Sequence, residues 1–175
     1  MATLVTLGLS KILGKAGEPT AGDFAEEGYT PFGLTYEDTC KMSQDDPETT
    51  EFYAEEEDDP VEITEKQGKI TFAFSIMNPD ITTLTRLFGG TVASDVYAYP
   101  DTVNTVEESV IIKPRKGLMF QVPRMKLVSK INGDFSKKGL LLIEVTGTVL
   151  KPQTTGLKKM YVKKIAAASN SNSGS

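Results

Sequence analysis

A mainly β fold, a β-sandwich or barrel with one short flanking α-helix, is what this sequence predicts, on three observations. From Gly68 onward, runs of strand length recur between turns rich in Gly, Pro, Asn and Asp, and the clearest of them alternate apolar and polar residues. One segment, between Asn78 and Gly89, shifts to helical spacing. The apolar share is only 39% of 175 residues, which suits one domain with a thin core rather than two full domains.

The elements follow in order. Residues 1–33 read as an N-terminal arm, because "KAGEPTAGDFAEEGYTPFG" mixes Gly, Pro and acids with isolated aromatics. The first 41 residues are expected to need outside support for order. A β-domain over 34–167 follows. Within it "TYEDTCKMSQ" is compatible with one strand, and "DDPETTEFYAEEEDDP" reads as a strand or hairpin carrying a solvated acidic loop over 45–60. "KITFAFSIM" alternates cleanly, with Ile70, Phe72, Phe74 and Ile76 on one face, as a half-buried strand requires. Asn78 then suits a helix cap, Pro79 the first helical position, and Asp80 the positive end of the dipole. Ile81, Leu84 and Leu87 or Phe88 recur at helical spacing, Arg86 suits the last turn, and Gly89 suits a left-handed terminator. Such a helix is too short to persist alone in water, so it must lie against a sheet.

Beyond the helix, "TVASDVYAY" and "EESVIIKP" read as strands joined by the turn "PDTVN". "GLMFQVPRMKLVSKI" is a longer strand in which Pro123 lacks a ladder donor. That position should be an edge or a bulge, with the inward phase changing around it. After the turn "NGDFSKKG", "LLLIEVTGTVLKP" places Leu141, Ile143, Val145, Gly147 and Val149 inward. "GLKKMYVKKI" is a last, basic strand, and residues 168–175 read as a disordered polar tail.

Composition narrows function. The chain has no histidine and one cysteine, Cys40. That excludes an internal disulfide, a Cys-based zinc site and Ser-His-Asp chemistry, and it leaves the lone thiol without a histidine to activate it. No cofactor or catalytic residue is expected, and the chain reads as a non-enzyme. No run approaches the roughly 18 apolar residues of a membrane span, and the start is a poor signal peptide. The run "EEEDD" at 55–59 lacks the alternating ligands and central glycine of a calcium loop. The glycines of "LFGGT" end a helix, whereas a phosphate cradle needs them to begin one.

Charge is strongly asymmetric. Residues 1–65 hold 17 acids against 3 lysines, and residues 66–175 hold 7 acids against 16 bases. The acidic part has too few apolar residues to form its own core. The acidic loop (Asp45, Asp46, Glu55, Glu56, Glu57, Asp58 and Asp59) is therefore expected to reach a basic strand surface of a neighbouring subunit. Lys158, Lys159, Lys163 and Lys164 are its candidate partners. The bland alternative folds that loop over its own basic face.

The order "ITFAFSIMNPDITTLTRLFGG", then "GLMFQVPRMKLVSKINGDFSKKGLLLIEVTGTVL", resembles the major tail tube proteins of long-tailed bacteriophages and prophages, which are related to the type VI secretion tube protein. The resemblance covers residues 34–165 by element order, and its specific part is 68–150. It implies a β-sandwich subunit of a homohexameric ring. Rings stack into a virion tail tube through which DNA passes without specific binding. It also implies assembly in a bacterial host cytoplasm, contacts with other tail proteins, and no membrane partner. An N-terminal arm and long loop would contact the adjacent ring. The principal rival is a non-enzymatic β-sandwich that binds a small ligand or partner protein.

Overall fold

The computed structural model describes residues 4–23 and 25–165, so the tail read at 168–175 lies outside the described residues. The protein is mainly β, with one short helix. The strands are β1 (Leu7–Ala16), β2 (Thr30–Pro31), β3 (Lys41–Gln44), β4 (Glu48–Tyr53), β5 (Pro60–Lys66) and β6 (Ile70–Ile76). Helix α1 (Ile81–Phe88) precedes β7 (Thr91–Ala93), β8 (Val96–Ala98), β9 (Val106–Lys116), β10 (Leu118–Gly133), β11 (Leu141–Val149) and β12 (Tyr161–Lys164). One eight-stranded sheet runs in the order β2-β1-β9-β10-β11-β6-β3, with β12 pairing the first part of β10. Two hairpins, β4–β5 and β7–β8, stand outside it.

The sheet curls but does not close into a barrel. In a flat sheet, five strand spacings would separate β2 from β6 by roughly 24 Å. Yet Phe32, next to β2, meets Phe74 of β6 at a ring-centroid distance of 5.7 Å. The curvature has a visible source. The β9–β10 register shifts between Val122 and Met125, at the bulge that carries Pro123. Below the bulge β10 pairs with β12, and above it with β11. Closure fails because the strap after β2 makes only one bridge, Thr35 to Ile76, before β3 pairs with β6.

Inside the curl lies the main core, which includes Ile12, Phe72, Phe74, Ile76, Val110, Met125, Ile143 and Val145. Phe72, Phe74 and Ile76 are buried as the alternation of their strand requires, and Ile143, Val145, Gly147 and Val149 are buried on β11. Leu141 departs from the pattern. It is 38% exposed, because the β10–β11 hairpin extends past the core. Strand β9 is buried on both sides over Ser109 to Ile112. Val110 and Ile112 face the main core, while Ile111 joins Leu13 and Met119 in a second cluster, with Tyr29 and Ile165 against it. A strand covered on both faces reads as a continuous apolar run.

That second cluster corrects the reading of residues 1–33 as an unsupported arm. β1 is a full strand of the main sheet, paired with β9 along most of its length and with β2 at Leu13 and Gly14, with Ile12 and Leu13 buried. The alternation of "LGLSKILGKA" is broken by Gly8 and Gly14, which hides the strand in the sequence. Ion pairs hold the segment after it to the sheet, as described below.

The helix is correctly placed but differently capped. Asp80, in extended backbone, accepts a 2.8 Å bond from Thr83 N and is the cap. Asn78 Oδ1 instead accepts from Leu34 N at 2.6 Å, which fastens the strap to the end of β6. Gly89 terminates the helix at φ 76°, donating to Thr85 O, as the sequence indicates. The stretch "TVASDVYAY" is not one strand but the β7–β8 hairpin. Ser94 and Asp95 both adopt positive φ, as a two-residue type I′ turn demands.

Within the helix, Leu87 is 3% exposed while Leu84 is only partly buried. Leu87→Ala is therefore expected to destabilise the fold by about 2–5 kcal/mol. Leu84→Ala should cost clearly less, and thermal melts of the two variants compare them directly.

Candidate self-assembly surface

Hairpin β4–β5 is the most unusual part of the molecule. Its ladder runs from Glu48 opposite Lys66 to Tyr53 opposite Pro60, with a bulge near the tip. Each strand contacts the other, and neither contacts another strand or the helix among the described residues. Eleven acids and one lysine lie between Asp45 and Lys66. The hairpin also exposes four large apolar side chains: Phe52 at 51%, Tyr53 at 58%, Val61 at 61% and Ile63 at 52%. An isolated two-stranded hairpin is at best marginally stable in water, and exposed apolar side chains on a free strand pair mark a contact surface.

The tip residues Glu55, Glu56, Glu57, Asp58 and Asp59 are exposed, and a single turn bond, from Glu57 N to Ala54 O, shapes their loop. No group of three carboxylate or thiol side chains among the described residues converges on a possible metal position. The base of the hairpin is tied down. Asp45 N donates to Lys69 O at 2.9 Å, and the Asp45 carbonyl packs so tightly on Gly68 that any Cβ there would collide with it. Glycine is thus required at the root of the hairpin.

The lysines expected to receive the acidic loop are placed differently from one another. Lys163 is already engaged within the chain, 2.9 Å from Asp23. Lys159 lines a cleft with Asp45, Asp46 and Glu48 of its own subunit, at the base of the hairpin, without forming an ion pair there. Lys158 contributes its backbone N–H to Tyr161 Oη at 2.9 Å. Lys164 ends β12 opposite Leu118. The four do not form one unoccupied basic patch.

Sequence reasoning missed the acids that do neutralise the basic sheet. They belong to residues 17–28, the segment read as arm. Glu26 bridges Lys11 at 2.6 Å and Lys113 at 2.8 Å. Glu18 accepts bonds of 2.8 Å from the backbone N–H groups of Gln153 and Thr154. Burial raises the Glu18 pKa, but those bonds outweigh it and leave the carboxyl below its ordinary value. With Asp23 on Lys163, these contacts press the segment over the cluster of Leu13, Ile111 and Met119. Only spatial pairing reveals this, since Lys113 lies far from Glu26 in sequence.

Beside the curl lies an open groove of about 1110 Å³. Its floor includes Leu9, Phe72, Ile112 and Phe120, and Cys40 lies beside them. Burial raises the Cys40 thiol pKa, so the thiol is held neutral and is poorly nucleophilic.

Hydrogen bonds from Lys11 and Lys113 lower the Glu26 pKa below its ordinary value of 4.5. A depressed carboxylate stabilises the fold fully above its unfolded pKa and loses that contribution as pH falls through the folded value. Protection of the amides in residues 25–29, taken relative to the intrinsic exchange rate at each pH, should therefore hold at neutral pH and be lost only as pH falls below the ordinary carboxylate value of 4.5. Glu26→Gln should already exchange fast at neutral pH. No protein-family model matches this chain, and no curated protein matches its sequence.

Proposed function

We propose that this chain is a structural subunit of homohexameric rings that stack into a virion tail tube, through which DNA passes without specific binding. The observation that carries the reading is hairpin β4–β5. It is acidic, apolar on its exposed side chains, and detached from the body that bears it. Such an element gains stability only against something else, and a copy of the same chain offers open strand edges and free bases. Sheet edges at β2 and β3 remain uncovered by further strands. Assembly would remove them from solvent. A contact between the hairpin and a different surface of the next copy is heterologous. It therefore generates a ring where the rotation closes and a filament where it does not. The absence of histidine and the neutral, half-buried thiol favour a non-catalytic role. Assembly in the bacterial cytoplasm and contacts with other tail proteins belong to the same proposal.

Each exposed ion pair contributes only about 0–1 kcal/mol, so assembly relies on many repeats of a weak contact and weakens as salt rises. Electron microscopy of the purified chain is expected to show rings or tubes, with light scattering that grows with concentration. Replacing residues 45–59 with a short Gly-Ser linker should leave a folded core that forms no long tubes. Tubes of normal length from that variant would sink the proposal.

A second reading rests on the groove, whose apolar floor would suit a small hydrophobic ligand in a non-enzymatic binding module. Titration with an apolar fluorescent probe tests it. Saturable one-to-one binding by a chain that stays monomeric at every concentration would favour this second reading, whereas weak, unsaturable binding would leave the ring.

A further inference from the structure

We infer that the groove beside Cys40 is the receptor for hairpin β4–β5 of a second copy, in place of the lysines of the C-terminal strand; the inference rests on the self-assembly reading and specifies its contact. Two unpaired strand edges flank the groove. β2 covers β1 only at Leu13 and Gly14, so the outer edge of Leu7 to Ile12 has no strand beside it. β3 ends the sheet on the other side. A hairpin with two free edges of its own can add main-chain hydrogen bonds there, as extended segments do at exposed sheet edges.

Side chains match as well. The floor of Leu9, Phe72, Ile112 and Phe120 is apolar, and the hairpin carries Phe52, Tyr53, Val61 and Ile63 exposed. At one end of the groove, Arg115 and Leu118 line the wall beside the β9–β10 turn. Lys116 lies opposite Leu7 and Lys164 opposite Leu118, so three cations surround that turn. None of the three forms an ion pair among the described residues, unlike Lys11, Lys113 and Lys163. The opposite wall carries Glu37, Asp38 and Lys41. An acidic hairpin is repelled from the Glu37–Asp38 side and attracted to the Arg115 side, which fixes its orientation. At about 1110 Å³ the groove has room for an extended segment.

Met42 makes the contact testable, because it lines the groove and is 43% exposed, while the chain's only cysteine, Cys40, can be removed. In the full-length Cys40→Ser chain, Phe52→Cys together with Met42→Cys, treated with a short bis-maleimide, should give a ladder of covalent oligomers on a denaturing gel. Restoring Met42 should abolish the ladder. Covalent dimers that persist with Phe52→Cys alone would mean hairpins meet one another, and the inference would fail. Tubes seen by microscopy without any linkage would also overturn it while leaving the ring reading intact. Linked dimers without rings would uphold the groove contact and remove the ring; a chain that neither links nor assembles removes both. Arg115→Glu combined with Lys116→Glu should lower the linkage yield by about tenfold at low salt with an unchanged melting temperature. An unchanged yield in that folded variant would overturn the charge-guided docking.

Discussion

The curled sheet is organised around one ion pair that three parts of the fold share. Arg86, at the end of α1, donates from Nε and a terminal nitrogen to the two oxygens of Glu108 on β9, both at 2.9 Å. The same guanidinium donates to the carbonyls of Pro31 and Thr30 and lies 4.0 Å above the Phe32 ring. Helix, strap and sheet thus share one cation. Glu108 is 6% exposed, so losing its partner would strand a buried charge, which typically costs about 3–5 kcal/mol. Gly14 is part of this arrangement. A Cβ on β1 at that point would collide with the Glu108 carboxylate, the Phe32 ring and the Arg86 guanidinium together. The pair thereby holds the start of the strap to both the helix and β9.

Incomplete closure has a consequence for the surface. A strap bridged to β6 at a single residue pair leaves a gap between β1 and β3, and the gap uncovers part of the apolar interior as a groove. A fully laddered strap would have sealed that interior and removed both edges. The molecule instead carries an open groove and, separately, a hairpin that contacts no other strand or helix among the described residues. Two unlike surfaces on one chain, each incomplete, are what head-to-tail association requires.

Charge follows the same division. Part of the sheet's basic charge is matched inside the chain: Glu26 takes Lys11 and Lys113, Asp23 takes Lys163, Glu107 takes Arg124 at 2.8 Å, and Glu144 takes Lys130 at 2.7 Å. Among the described residues the hairpin's acids form no ion pair, apart from Glu48 near Lys66 at 3.7 Å. The overall imbalance of the N-terminal region therefore collects on the one strand pair that contacts no other strand or helix among the described residues. The field of those acids reaches into solvent and is screened by salt.

By itself the sequence determined the mainly β class, the strand at 70–76 and its inward face, the helix with its glycine stop, the bulge at Pro123 and the exposed acidic hairpin. Each of these is set by local chemistry: alternation, capping, a missing donor or a lack of apolar residues. Tertiary structure decided what local pattern cannot encode. β1 looked like part of an arm because Gly8 and Gly14 interrupt its alternation, yet Gly14 is there to admit the Arg86–Glu108 pair. Asn78 has the right side chain for a helix cap, but Leu34 N takes its oxygen and Asp80 caps in its place. Lys163 looked free until Asp23 was folded onto it. The groove arises between strands far apart in sequence, in a sheet curled at a bulge and organised around a buried ion pair. Periodicity reports which face of a strand is apolar; only the packed sheet decides whether that face is covered.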